Sequence, residues 1–282
     1  MKTIGVIGAG TMGAGIAQVA AASGLEVVLI DQAESWLQRG LDLITSGLDR
    51  QVEKGRLSLA ERDAILTRVE GSTEYDRLEP TDLVIEAVNE QFETKRMVLQ
   101  QVVQVVADDT ILASNTSSIS ISALAGVIPE SNRVIGMHFF NPVPVLKLVE
   151  VVRGLQTSDE TVAATIELAT RLGKTPVEIR DAPGFVANRL LLPMINEAIF
   201  ICAEGVAKAE AIDQVMQLGA AHPMGPLALA DMIGLDVCLG ILEVLHHDFG
   251  DDKYRPAPLL RSMVAAGRLG RKSGEGFFRY DK

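Results

Sequence analysis

Lys2-Thr3-Ile4-Gly5-Val6-Ile7-Gly8-Ala9-Gly10-Thr11-Met12-Gly13 opens the chain and decides its first fold. Lys2 to Ile7 is a short apolar run of strand type. Behind the glycines, Ala14-Gly15-Ile16-Ala17-Gln18-Val19-Ala20-Ala21-Ala22 has the small residues and spacing of a helix. Gly24, a second apolar run Glu26-Val27-Val28-Leu29-Ile30, and Asp31 follow. Strand, glycine turn, helix, strand and acid in this order make a dinucleotide-binding unit. Gly8 permits the tight turn, Gly10 lets the backbone approach a pyrophosphate, and Gly13 lets the helix lie close to the strand. Thr11 and Met12 begin the helix, whose N-terminus offers free N–H groups and a positive dipole end to phosphates. Asp31 can accept hydrogen bonds from both hydroxyls of an adenosine ribose. It would repel a 2′-phosphate, and nearby Gln32 and Ala33 supply no cation, so the expected cofactor is NAD.

The 282 residues are 48% hydrophobic and 4% aromatic, enough to bury one large or two modest cores. A net charge of −11 argues against nucleic acid and anionic membranes as partners. Cys202 and Cys238 are the two thiols, both in apolar helical surroundings, which suits reduced core cysteines in a cytoplasmic protein. Lys2 before an apolar stretch imitates a signal peptide, but five glycines up to Gly15 split that stretch. The most apolar long run, Val186 to Ala203, contains Asn188, Arg189, Pro193, Asn196 and Glu197, so no membrane span is expected.

Beyond Asp31, Trp36, Leu37, Leu41, Ile44, Leu48 and Val52 recur at helical steps and predict a long amphipathic helix ending near Gly55. Ser58-Leu59-Ala60-Glu61 is a capping box, with a second helix expected to about Val69. Together they form a helical hairpin (about 34–69) inserted between strands. Lys54 and Arg56 at its tip are either contacts for an anionic ligand or part of a solvated loop. Strand patterns at Leu83–Val88, Thr110–Ser114, Val134–Met137, Leu146–Val152 and Thr175–Ile179 alternate with helical ones at Glu93–Val106, Ser120–Ala125 and Glu160–Leu172. The fold class is α/β: a Rossmann-like, doubly wound, mostly parallel sheet with a second, all-helical domain. The boundary is expected at Asp181-Ala182-Pro183-Gly184, giving domains of 1–182 and 183–282. Helices at Phe185–Ala203, Lys208–Leu218 and Leu227–Leu245 are expected in the second.

Such sheets hold ligands beyond the carboxyl ends of their strands, which directs attention to Glu90, Asn115-Thr116-Ser117, His138 with Asn141, and Asn188. Imidazole is suited to taking a hydroxyl proton near neutral pH. Asn141-Pro142-Val143-Pro144 behind His138 is a rigid reversal into Leu146-Lys147-Leu148-Val149-Glu150-Val151-Val152. Glu150 is a carboxylate within an apolar strand. Either it pairs with His138 across the turn, orienting the ring, or it faces water on an edge strand. Ser117 lies in a run of small hydroxyl residues suited to capping and turns; one hydroxyl there could bond a substrate oxygen. A Ser–His–acid hydrolase is disfavoured because no G-x-S-x-G elbow is present.

Several blocks in the same order resemble the L-3-hydroxyacyl-CoA dehydrogenase family, in its short bacterial 3-hydroxybutyryl-CoA type. They are Gly8–Gly13, Ser114–Ser118, Gly136-Met137-His138-Phe139-Phe140-Asn141-Pro142-Val143, Lys147–Val151, Pro183–Arg189 and Gly270-Arg271-Lys272-Ser273-Gly274-Glu275-Gly276-Phe277. The resemblance covers essentially the whole length. It implies that His138 is the general base toward the 3-hydroxyl of an acyl-CoA thioester and that Glu150 pairs with it. It implies further that Ser117 bonds the substrate oxygen near the nicotinamide and that Asn188 helps order the active site. Asp31, Glu90, Lys95, Asn141 and Lys272 match the family's NAD contacts, and Lys54 matches a coenzyme A contact. One departure is Gly47, where some relatives place a serine against coenzyme A. The resemblance also implies a homodimer through the second domain, and no metal. Two other readings remain at this stage: a related dehydrogenase of a free hydroxy acid or sugar acid, and a non-enzymatic crystallin-like or NAD-sensing protein.

Overall fold

The computed structural model describes residues 1–280. The chain divides into two compact units, Met1–Ala182 and Pro183–Lys282. In the first, β1 (Thr3–Ile7), α1 (Thr11–Ala22) and β2 (Glu26–Ile30) are followed by a helical hairpin, α2 (Glu34–Glu53) and α3 (Leu59–Leu66). Then come β3 (Val69–Ser72), β4 (Leu83–Glu86), α4 (Phe92–Val102), β5 (Ile111–Ser114), α5 (Ile121–Ala125) and β6 (Val134–Phe139). β7 (Leu148–Arg153), α6 (Asp159–Arg171) and β8 (Thr175–Arg180) complete the unit.

One eight-stranded sheet has the order β3-β2-β1-β4-β5-β6-β7-β8. Every neighbouring pair is parallel except β6–β7. β4, β5 and β6 are buried along their whole length, as strands covered on both faces must be. Their aliphatic side chains join Ile16, Ala17, Ala20, Leu37, Ile44 and Leu48 of the helices in one core. This is the doubly wound, mostly parallel sheet that the alternation of patterns predicts. The outermost strand, β8, pairs with β7 alone, carries Pro176, and is mostly exposed.

The capping box is formed: Ser58 Oγ accepts from Glu61 N and the Glu61 carboxylate accepts from Ser58 N. The helix it starts is shorter than expected. It ends at Leu66, and Val69–Ser72 join the sheet beside β2 instead. Open backbone groups along β2 and a β-branched Val69 favour strand pairing over another helical turn.

The second unit contains α7 (Ala187–Ala203), α8 (Ala209–Gly219), α9 (Pro226–Ile233), α10 (Leu235–Phe249) and α11 (Pro258–Ala265). Its core is separate, built on Leu192, Ile195, Ile199, Leu227, Leu242 and Leu245 among others. α7 begins two residues later than expected, because Gly184 and Phe185 both have positive φ (70° and 51°). The single helix expected over Leu227–Leu245 is two. Gly234 adopts φ 107°, which side-chain-bearing residues rarely reach, and breaks it. α11 has no counterpart in the apolar periodicity; Pro258 at its first position sets its start. No helix among the described residues is long and apolar enough to cross a membrane.

Buried Asp231 holds the tail of this unit. Its two oxygens accept from Phe277 N (3.0 Å), Phe278 N (2.9 Å) and the Tyr280 hydroxyl (3.0 Å). Burial, then the Asp231 bond, pushes the Tyr280 phenol up to about 12. Asp231→Ala removes three bonds to a buried acceptor and should destabilise the protein by about 2–4 kcal/mol, at about 0.5–1.5 kcal/mol for each bond. Urea unfolding of the two proteins measures this directly.

Candidate active site

The strand order reverses between β1 and β4, so a crevice opens beyond their carboxyl ends. Gly8 stands on one side with φ 98°, and a Cβ there would lie 2.7 Å from the carbonyl oxygen of Ala87 after β4. A Cβ on Gly13 would lie 1.8 Å from the Gly8 carbonyl, so only glycine fits the helix against the turn. At Gly10 a Cβ would meet nothing within 4 Å; the backbone there faces open space. No side chain caps α1 and no acid occupies its first turn, which leaves Thr11, Met12 and Gly13 suited to an anion. Asp31 Oδ2 accepts from Ala9 N and Oδ1 from Gln32 N, both at 2.7 Å. Each oxygen keeps lone-pair capacity for a ribose hydroxyl. These features fit a dinucleotide.

Lys95 is buried, at 1% exposed. Its Nζ lies 3.0 Å from both oxygens of Glu86, 3.3 Å from the Val88 carbonyl and 3.4 Å from Glu90 Oε2. Ser114 of β5 donates to Glu86 as well. Burial pushes the Glu86 carboxyl up, with Lys95 opposing. Glu90 Oε1 in turn accepts from Thr116 Oγ1 (2.6 Å), Ser117 N (2.8 Å) and Oγ (3.2 Å), and Ser118 N and Oγ (both 3.0 Å). Burial alone would raise Glu90, but Lys95 and this ring of donors together hold it below the usual carboxylate range. Lys95 is thereby joined through Glu90 to the Ser117 loop. Pattern reading passed over Glu86, although a carboxylate closing the apolar Leu83-Val84-Ile85 run is the signal that marks it.

His138 lies in β6 directly opposite Glu150 in antiparallel β7. Nδ1 is 2.7 Å from Glu150 Oε2, and both residues are buried (6% and 2% exposed). β8 covers the far side of β7, so Glu150 is not on an edge strand facing water. The Phe140 ring lies 4.5 Å from the imidazole. Asn115 Oδ1 accepts from Phe139 N at 2.9 Å, tying the loop after β5 to the strand of His138. Asn141 follows at the surface, joined to Pro142 by a cis peptide. Lys174 Nζ donates to the carbonyls of Val143 and, at 2.8 Å, Leu146, and so pins this reversal.

A cleft of about 430 Å³ lies between α1, α2 and residues 141–145. Lys54, Arg50, Arg56, Gly47, Thr11 and Asn141 are among its lining residues. In the second unit, Asn188 stands in the first turn of α7, and Lys272 pairs with Asp236 at 2.5 Å. The first unit thus gathers Gly8–Gly13, Asp31, Glu90, Ser117, His138, Glu150 and Asn141 around the carboxyl ends of its strands or just beyond them.

The Glu90 network carries a pH signature. Its folded pKa lies below the unfolded value of about 4.3, so its stabilisation is present above that pH. It is lost as pH falls through the folded value. Glu90→Gln should flatten this acid limb relative to the parent protein in denaturation followed from pH 6 to about 3.

The family model described as the NAD binding domain of 3-hydroxyacyl-CoA dehydrogenase matches residues 3–182, and that of its C-terminal domain matches residues 184–280. A probable 3-hydroxybutyryl-CoA dehydrogenase of Deinococcus radiodurans is 56% identical over 276 residues, covering 98% of this chain and 99% of that one. One from Bacillus subtilis is 53% identical over 282 residues, covering 100% and 98%. The crystal structure of (S)-3-hydroxybutyryl-CoA dehydrogenase from Ralstonia eutropha superposes with a TM-score of 0.97 at 54% identity and full coverage of both chains. With these matches spanning both units, the chain belongs to the 3-hydroxyacyl-CoA dehydrogenase family and is an NAD-dependent oxidoreductase.

Proposed function

We propose that this enzyme interconverts (S)-3-hydroxyacyl-CoA, with 3-hydroxybutyryl-CoA as the expected substrate, and the 3-oxoacyl-CoA, with His138 as general base. The observation that carries the chemistry is the 2.7 Å contact between His138 Nδ1 and Glu150. An acceptor at Nδ1 keeps the ring proton there and leaves the Nε2 lone pair for the substrate hydroxyl. In oxidation, Nε2 takes the hydroxyl proton and Glu150 stabilises the imidazolium that results. In reduction, the same nitrogen returns a proton to the 3-oxo oxygen. Bound NAD supplies the acceptor or donor of the hydride at C3. Ser117, held by Glu90, bonds the substrate oxygen, and the ordered loop lowers the cost of aligning it. Gly8, Gly10, Thr11, Met12, Gly13, Asp31, Glu90, Lys95, Ser117, Asn141 and Lys272 are assigned to the cofactor, and Asn188 to ordering the substrate.

Lys54 is assigned to coenzyme A. The cleft beside it supports this: it is lined by Arg50, Lys54 and Arg56 and by no acid, in a chain of net charge −11. A free hydroxy acid would leave that basic rim without a ligand. The cytoplasm is the proposed compartment. A homodimer through the helical unit is supported by its exposed Leu190, Val206, Val215 and Leu218, and sedimentation of the purified protein tests it.

Acetoacetyl-CoA should be reduced with NADH far faster than free acetoacetate, and equal rates would overturn the substrate class. His138→Gln should lower kcat by about 10²–10⁴-fold, the usual contribution of a general base. NADH titration should show that this variant still binds the cofactor. Retention of most activity would remove His138 from the role.

A further inference from the structure

The cleft beside the nucleotide loop contains a side chain that neither the proton chemistry nor the cofactor assignment uses. Gln18 is only 6% exposed, yet it lines this cleft. Its carboxamide is not among the polar groups sealed in the core without a partner; it opens on the cleft. A ligand amide lying there can therefore reach both its donor and its acceptor. Thr11, Ala14, Gly15 and Gln18 line the cleft together, because spacings of three, four and seven put them on one face of α1. Within that face only Gln18 offers both a donor pair and an acceptor.

The opposite wall is shaped to the same amide. A Cβ on Gly47 would lie 2.7 Å from Gln18 Oε1 and 3.5 Å from Nε2. Glycine at 47 therefore leaves the space in which the Gln18 head sits. Further along α2 the wall turns basic with Arg50 and Lys54, then Arg56 beyond the helix. From Gln18 to Thr11 is seven residues of helix, about 10 Å along the axis. A ligand lying here meets cations at one end, an amide-binding group midway, and the nucleotide loop at the other.

We infer that Gln18 is a specificity-determining residue that binds the uncharged, amide-bearing arm of the thioester substrate. Its Nε2–H donates to an amide carbonyl of that arm and its Oε1 accepts an amide N–H. The phosphates of the same ligand lie at Arg50, Lys54 and Arg56. This inference rests on the acyl-CoA reading above and adds to it a means of recognising the arm independently of charge.

The test compares acetoacetyl-CoA with acetoacetyl-pantetheine, which keeps the amides and lacks the phosphates, using NADH and the purified full-length enzyme. Gln18→Leu should raise KM for both thioesters by about three- to tenfold, the worth of one or two neutral hydrogen bonds. Its kcat should stay within about twofold of the parent, and its KM for NADH should not change. Lys54→Ala should raise KM for acetoacetyl-CoA alone. Gln18→Met keeps the length of the side chain and removes both amide groups, and should reproduce the KM rise if Gln18→Leu proves unstable. Unchanged KM values in Gln18→Leu, or a rise confined to the phosphate-bearing substrate, would overturn the inference. A parent enzyme that fails to reduce either thioester would instead overturn the acyl-CoA reading itself.

Discussion

A lysine ammonium sealed from water must be matched by anions, and Lys95 sets that condition in the first unit. Glu86 meets it with both oxygens from the end of β4, and Glu90 meets it from the loop beyond. Ser114 adds the neighbouring strand. The carboxyl ends of the two central strands, β4 and β5, are thereby stapled together next to the place where the strand order reverses. Glu90, charged beside Lys95, then has one oxygen to spare, and that oxygen organises Thr116, Ser117 and Ser118. The loop is ordered by one acceptor with five donors, which a chain of surface turns would not achieve.

The proton-handling pair depends on a different constraint, strand register. Residues directly opposite in an antiparallel pair share a face of the sheet. A slip of one residue would send Glu150 to the other face and leave both groups buried without each other. Register is held from two sides. Thr175 N donates to the Lys147 carbonyl as β8 begins, and Lys174 just before it clamps the Val143 and Leu146 carbonyls of the reversal. Burial lowers the Lys174 ammonium pKa, so the clamp operates with a partly desolvated cation, which strengthens its bonds to the carbonyls.

Much of this was legible in the residues. The glycine spacing and Asp31 announce the nucleotide turn, because tight backbone approach leaves few residue choices. The alternation of patterns announces the sheet, and the family's motif order announces the activity. What escaped is what depends on residues far apart in sequence. Lys95 reads as one cation on a polar helix until the fold sets Glu86 and Glu90 around it. β3 reads as the tail of a helix until β2 offers it a partner. Gly234 reads as a tolerated helical glycine until its φ of 107° is known. Gln18 reads as one polar residue in an alanine-rich helix until Gly47 is found across from it.

The antiparallel pair at β6–β7 also decides how the sheet ends. Because β7 carries Glu150, it needs cover on its outer side, and β8 supplies it. That moves the open margin of the sheet one strand away from the buried acid. An open margin invites pairing with the backbone of another molecule. β8 answers with Pro176, which has no N–H to offer, and with the charges of Glu178 and Arg180. The same strand that keeps water from the imidazole–carboxylate pair thus makes a poor template for aggregation, so the catalytic sheet can be left unsealed at this side without becoming a seed for fibres.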